Sequence, residues 1–170
     1  MDDKRVLAID PASRGFGFAV LEGPHALIDW GVRDARQNKA PGTLRRIEGL
    51  FRLYEPDALV VEDCSHRSSR RRERVQHLIE NILDLARQER IKVLRMPIST
   101  VRRFFSETGA ATKHQIATAL AERFPELARR LPRKRRPWES ERYAMSVFDA
   151  TALGVVSFDR SLPSRNLIES

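Results

Sequence analysis

Two short apolar runs, each closed by an acid, constrain this chain most. Val6-Leu7-Ala8-Ile9 ends at Asp10, and Ala58-Leu59-Val60-Val61 ends at Glu62. Aliphatic and β-branched runs of this length, bounded by turn residues, read as buried central strands. A carboxylate at the mouth of a buried sheet is costly unless it is paired or bound to a metal. A third acid, Asp149, interrupts another apolar stretch, with Val147-Phe148 before it and Ala150-Thr151-Ala152-Leu153 after it. Carboxylates from three distant parts of a chain make a hard, all-oxygen donor set of the kind that suits magnesium.

The remaining pattern alternates strands and helices. Strands are expected at Lys4–Asp10, Gly15–Leu21, His25–Val32, Ala58–Glu62 and Ile91–Met96, the second and third forming a hairpin across Gly23-Pro24. A helix is expected from Thr43, as N-cap, to Tyr54, after a polar loop that ends at Pro41-Gly42. A second runs over Val75–Glu89 behind a charged loop at 63–74. Short helices follow at Val101–Phe105 and Thr112–Phe124, then a basic break at 131–137, then a last helix from about Trp138 to Ser157. Three strands, a helix, a strand, a helix, a strand and further helices describe an α/β fold: a mixed sheet with helices on its faces. The 170 residues fit one domain spanning 1–170, with neither an internal repeat nor a low-complexity tail.

Charge narrows the substrate. Lysine and arginine number 31 against 23 acids, a net charge of +8. Such a field attracts polyanions and releases counterions when DNA or RNA binds. Cys64 is the single cysteine, so an internal disulfide is excluded and a reducing compartment is expected. No apolar segment has the length of a membrane span or the form of a leader, so the expectation is a soluble, cytoplasmic protein without a membrane partner. Cys64 and His66 lack the further ligands of a tetrahedral zinc site.

The order of elements, with acids ending the first and fourth strands and another on the last helix, resembles the ribonuclease H-like fold. Within it, the chain is similar to the RuvC family of Holliday junction resolvases. The resemblance rests on Ile9-Asp10-Pro11-Ala12-Ser13-Arg14 with Gly17-Phe18, on Pro56-Asp57-Ala58 leading to Val60-Val61-Glu62, on Val101-Arg102-Arg103 with Gly109 and Lys113-His114-Gln115-Ile116, and on Phe148-Asp149-Ala150-Thr151-Ala152-Leu153. Each motif is short, but the four stand in family order over nearly the whole chain. The resemblance implies a five-stranded mixed sheet, its first three strands antiparallel, flanked by helices on both faces. It implies a magnesium-dependent endonuclease of branched DNA, with Asp10, Glu62 and Asp149 as catalytic metal ligands.

Two magnesium ions roughly 3.5–4 Å apart, with manganese as a substitute, serve phosphodiester hydrolysis, and no organic cofactor is needed. Asp10 would be the shared ligand. Lys113 would contact the scissile phosphate or orient the attacking water, as the family's matching lysine implies. Gly15 and Gly17 would keep the neighbouring strand slim so that a phosphate can approach. DNA contacts are expected from Arg14, Arg67, Arg70, Arg71, Arg72, Arg74, Arg102, Arg103, Lys113 and Arg142, with Arg133–Arg136 as a further phosphate grip. A homodimer, through excess apolar residues near Leu83 and Leu85, would match a four-way junction.

Two departures from the family stand out. Ser146 occupies the position one turn before Asp149 where the family carries an acid or histidine, and serine is a poor metal ligand. Arginines, rather than an aromatic wedge, follow Glu62. Ordinary readings stand beside the catalytic ones: turn chemistry for Asp10-Pro11, a solvated strand end for Glu62-Asp63, a capping or ion-pairing role for Asp149, a solvated helix start for Lys113. Two other functions therefore stay open. One is a nuclease of this fold for another substrate, such as an RNA–DNA hybrid or a flap. The other is a DNA-binding protein of this fold without the chemistry.

Overall fold

The computed structural model describes residues 4–12, 15–34, 39–65, 70–138 and 144–159, with the backbone alone at 39 and 70–72. Five strands, β1 (Arg5–Ala12), β2 (Gly15–Glu22), β3 (Leu27–Asp34), β4 (Ala58–Glu62) and β5 (Lys92–Met96), form one sheet in the order β3-β2-β1-β4-β5. The β1–β2 and β2–β3 pairs are antiparallel; β1–β4 and β4–β5 are parallel. Helices α1 (Lys39–Tyr54) and α2 (Arg70–Gln88) pack on one face. Helices α3 (Ile98–Ser106), α4 (Lys113–Arg123) and α5 (Met145–Ser157) pack on the other, with a 3₁₀ turn over Pro125–Arg130. The expected mixed sheet, with antiparallel first strands and helices on both sides, is the one observed.

Residue size along β2 sets the spacing of the layers. Side chains alternate between the faces of a strand. Phe16, Phe18 and Val20 point into the α1/α2 layer, which also holds Leu7, Ile9, Leu59, Val61, Ile82 and Leu83. The opposite face of β2 presents Gly17, Ala19 and Leu21 to α5. A Cβ placed on Gly17 would lie 2.3 Å from the backbone carbon and oxygen of Ser146, so only glycine lets the helix seat there. Size is reversed at the other end of the contact, where Gly154 of α5 receives the Leu21 side chain and touches Ala8. Each aliphatic side chain fully buried between the layers contributes roughly 1.5–3 kcal/mol.

Several element ends differ from the sequence reading. α1 begins at Lys39, because Pro41 sits in its first turn, where a missing N–H costs nothing. Thr43 is accordingly not an N-cap but a buried residue of the helix, 1% exposed. α2 begins at Arg70, so the second part of the expected loop is helical; arginine favours helix but adds no apolar periodicity to signal it. β3 lies at Leu27–Asp34 rather than 25–32, after a turn at Gly23 (φ 81°). α3 starts at Ile98, directly behind Pro97. α4 keeps its expected start, with Thr112 as N-cap and a full capping box to Gln115. The 3₁₀ turn had no counterpart in the sequence reading. α5 starts at Met145, and Pro137-Trp138 lie in a turn rather than in a helix.

Two polar links tie the edges down. Arg5 joins the Glu22 carboxylate across β1–β2 and also donates to the Tyr54 carbonyl at the end of α1. The Tyr54 hydroxyl donates to Asp29 on β3. Desolvation and that bond to a carboxylate push the Tyr54 hydroxyl up to about 12. Leu83 is fully buried in the α1/α2 layer and Leu85 packs against it, so Leu83 offers nothing to a second copy of the chain.

Candidate active site at the strand ends

Three parallel strands bring their carboxyl ends to one edge of the sheet, the edge where open α/β sheets bind ligands. Ile9 of β1 pairs with Val61 of β4, and Glu62 pairs with Met96 of β5. Asp10 and Glu62 are the next residues along β1 and β4, side by side on adjacent strands. Val6, Ala8 and Val60 belong to the α5-side core, so strand alternation turns Asp10 and Glu62 to that same face. Both are partly exposed. Asp10 also pairs with Gly17, the glycine on which Ser146 rests. The start of α5 thus lies over the strand that neighbours Asp10.

Asp149 follows Ser146 by three residues. It is the one position between Met145 and Val156 that is not buried. Its Oδ2 accepts from Lys113 Nζ at 3.1 Å, the side chains being 25% and 46% exposed. Lys113 reaches it from the first turn of α4, which the Thr112–Gln115 capping box fixes in place. Two residues named from the sequence for one reaction are therefore in direct contact, although 36 residues separate them. Among the described residues, no three His, Cys, Asp or Glu side chains converge closely enough to hold a metal ion as they stand. The donor chemistry at Asp10, Glu62 and Asp149 is right for a hard divalent cation. Lys113 holds the Asp149 Oδ2, so a cation bound at that oxygen would compete with the ammonium. An ion pair this exposed is worth about 1 kcal/mol or less, so a divalent ion can displace it.

One expectation needs correction. Gly17 does not clear a path for phosphate; it seats the Ser146 backbone, and the space above it is filled by α5. Ser146 itself is buried, 4% exposed, against that strand. Small size at 146 therefore has a packing reason, which the paired small residues of β2 and α5 signal in the sequence.

Arg74 is exposed near the start of α2, and Arg102 and Arg103 are exposed on α3. α3 begins two residues after Met96, the partner of Glu62, so its arginines follow directly from the acidic edge. Arg14, Arg67 and Arg142 lie outside the described residues, as do the side chains of Arg70, Arg71 and Arg72. An open groove of about 410 Å³ lies on the α2 side, lined by Cys64, Glu73, Gln76, His77, Glu80 and Arg95 among others; none of the three acids lines it. No described helix is long and apolar enough to cross a membrane.

The order β3-β2-β1-β4-β5, with its two helical layers, is the ribonuclease H-like arrangement of an α/β fold. Solved structures with this architecture include two from Thermus thermophilus. RuvC in complex with a Holliday junction substrate superposes with a TM-score of 0.64 at 19% identity, over 91% of this chain and 93% of that one. A second RuvC structure gives 0.63 at 22%, over the same shares. These likenesses establish that the chain has the fold of the RuvC resolvases. No protein-family model matches the sequence, and no curated protein matches it either.

Proposed function

We propose that this protein is a metal-dependent endonuclease of branched DNA, a Holliday junction resolvase of the RuvC kind. One observation carries the reading. Asp10 and Glu62 stand side by side at the carboxyl ends of β1 and β4, on the face covered by α5, and Asp149 is the one unburied position of that helix between Met145 and Val156. The fold shared with a junction-bound RuvC supports DNA as partner. The chain's net charge of +8 supports a polyanionic one.

Asp10, placed between β4 and the start of α5, would serve both ions; Glu62 would hold one and Asp149 the other. Bound there, magnesium or manganese would activate water and stabilise charge on the phosphorus and the leaving oxygen. Lys113, freed from Asp149, would donate to a phosphate oxygen. Arg74, Arg102 and Arg103 would grip the DNA backbone beside the acidic edge, which fixes register without reading sequence. A twofold dimer, using a surface other than Leu83, would set two such sites on strands of like polarity. We place the protein in the cytoplasm, with its substrate.

A second reading has its own support. Asp149 is already paired with Lys113, and no three ligands converge among the described residues. A DNA-binding protein of this fold without the chemistry would look the same. Labelled four-way junction, linear duplex and RNA–DNA hybrid, each incubated with magnesium, manganese or chelator, separate the readings. The resolvase predicts paired, symmetric nicks in the junction alone, lost with chelator. Asp10→Asn should abolish the nicks and spare binding, because it keeps shape and removes charge. Tight binding without nicks in any metal would establish the binder, and nicking by the Asp10→Asn variant would refute the site.

A further inference from the structure

The first turn of α4 carries Lys113 and has little burial to hold it. Lys113 and Gln115 are exposed and His114 is half-buried. The buried face of the helix starts at Ile116 and continues through Ala117, Leu120 and Ala121, which pack into the core shared with α5. At the other end of α4, Arg123 Nε donates to the Pro24 carbonyl at 3.0 Å. The body of the helix is therefore fixed by apolar contact and by that bond, while its start depends on polar bonds of its own. A helix leaves the N–H groups of its first turn without intrahelical partners, so an unsupported first turn frays.

Gln115 supplies the support. Its Oε1 accepts from two successive backbone groups, the Ala111 N–H at 2.9 Å and the Thr112 N–H at 3.0 Å. Its own N–H donates to Thr112 Oγ1 at 3.2 Å. The three bonds bracket Lys113 and His114, and tie them to the segment that leaves α3 through Gly109 (φ 87°). From that turn the Lys113 ammonium reaches Asp149 Oδ2 at 3.1 Å. Positions i and i+2 of a helix do not face each other, so Gln115 acts on Lys113 through the backbone. We infer that Gln115 is a positioning residue: by clamping residues 111–115 it sets the Lys113 ammonium at Asp149, ready for the scissile phosphate. This inference rests on the proposed nuclease reading, and adds to it the residue through which the cation is aimed. Catalysis falls steeply when a reacting group is misplaced, so fraying of this turn costs turnover; backbone-gripping arginines would keep the DNA bound.

The first test reads Lys113 without cleavage. Acetylation of the full-length protein by acetic anhydride, followed by mass spectrometry, compares Lys113 with Lys92, which is exposed at the opposite end of the sheet. An ammonium held in an ion pair reacts more slowly. Gln115→Ala should raise the Lys113-to-Lys92 ratio about two- to fivefold. Gln115→Glu, which also completes a capping box, should return it to the wild-type value. In junction cleavage, Gln115→Ala should lower kcat about tenfold with KM within about twofold. In a Lys113→Met background it should cost nothing further. An unchanged acetylation ratio in Gln115→Ala would overturn the inference, whether or not the protein cuts DNA. Equal falls of kcat in the two backgrounds would overturn it too, by assigning Gln115 to folding alone. A wild type that cuts no junction, together with the expected shift in ratio, would support the positioning of Lys113 and overturn the resolvase reading alone.

Discussion

At the level of single residues, the contact between Lys113 and Asp149 bears most on mechanism. A lysine that only shields an acid and one that acts on substrate look alike in the free protein. They differ on substitution. Because the pair is exposed, Lys113→Met should change unfolding free energy by less than about 1 kcal/mol. If the ammonium stabilises charge on the phosphate, junction cleavage by that variant should fall by roughly 10²-fold. Unchanged cleavage would reduce Lys113 to a counter-charge. Asp149 was legible in the sequence because a carboxylate among Val147, Phe148, Ala150 and Ala152 conflicts with burial, and the one unburied position in that stretch of α5 resolves the conflict. Its partner was not legible: pairing across 36 residues, between two helices, leaves no local pattern.

At the level of elements, the helix–sheet spacing makes a graded prediction about glycines. Gly17→Ala sets a methyl 2.3 Å from the Ser146 backbone, which can yield only if α5 shifts; a loss of about 1–3 kcal/mol or more is expected. Gly154→Ala meets the end of a flexible Leu21 side chain and gains helix propensity, so its loss should be smaller. A methyl added at Gly49 in α1 would meet nothing within 4 Å, and Gly49→Ala should stabilise by about 0.5–1 kcal/mol. Urea unfolding of the three variants checks the order, and a Gly17→Ala protein as stable as Gly49→Ala would contradict the seating of α5. The strands were readable from their apolar runs and α4 from its Thr112 cap. The starts of α1 and α2 were not. Proline in a first turn resembles a loop, and an arginine-rich first turn has no apolar face to count. α5 was readable as a helix but not as one buried on nearly every side, because its packing depends on the small residues of β2.

At the level of the whole molecule, the fold is recognisable where overall sequence similarity is slight. Identity to the Thermus RuvC structures is 19% and 22%, yet more than nine-tenths of both chains superpose. Cores tolerate extensive apolar exchange when volume and pattern are kept, so the order of strands and helices outlasts the residues that build it. Four acid- and lysine-bearing motifs in sequence order were enough to suggest this architecture. They carried no information on whether the carboxylates converge, since that depends on side-chain rotamers and on the competition between Lys113 and a cation for Asp149. A crystal soaked in manganese and measured at the metal's absorption edge addresses that point most directly. The account predicts anomalous peaks against the carboxylates of Asp10 and Glu62, with Asp149 turned from the Lys113 ammonium to the metal. Absence of a peak at those two carboxylates, with Lys113 still on Asp149, would contradict it.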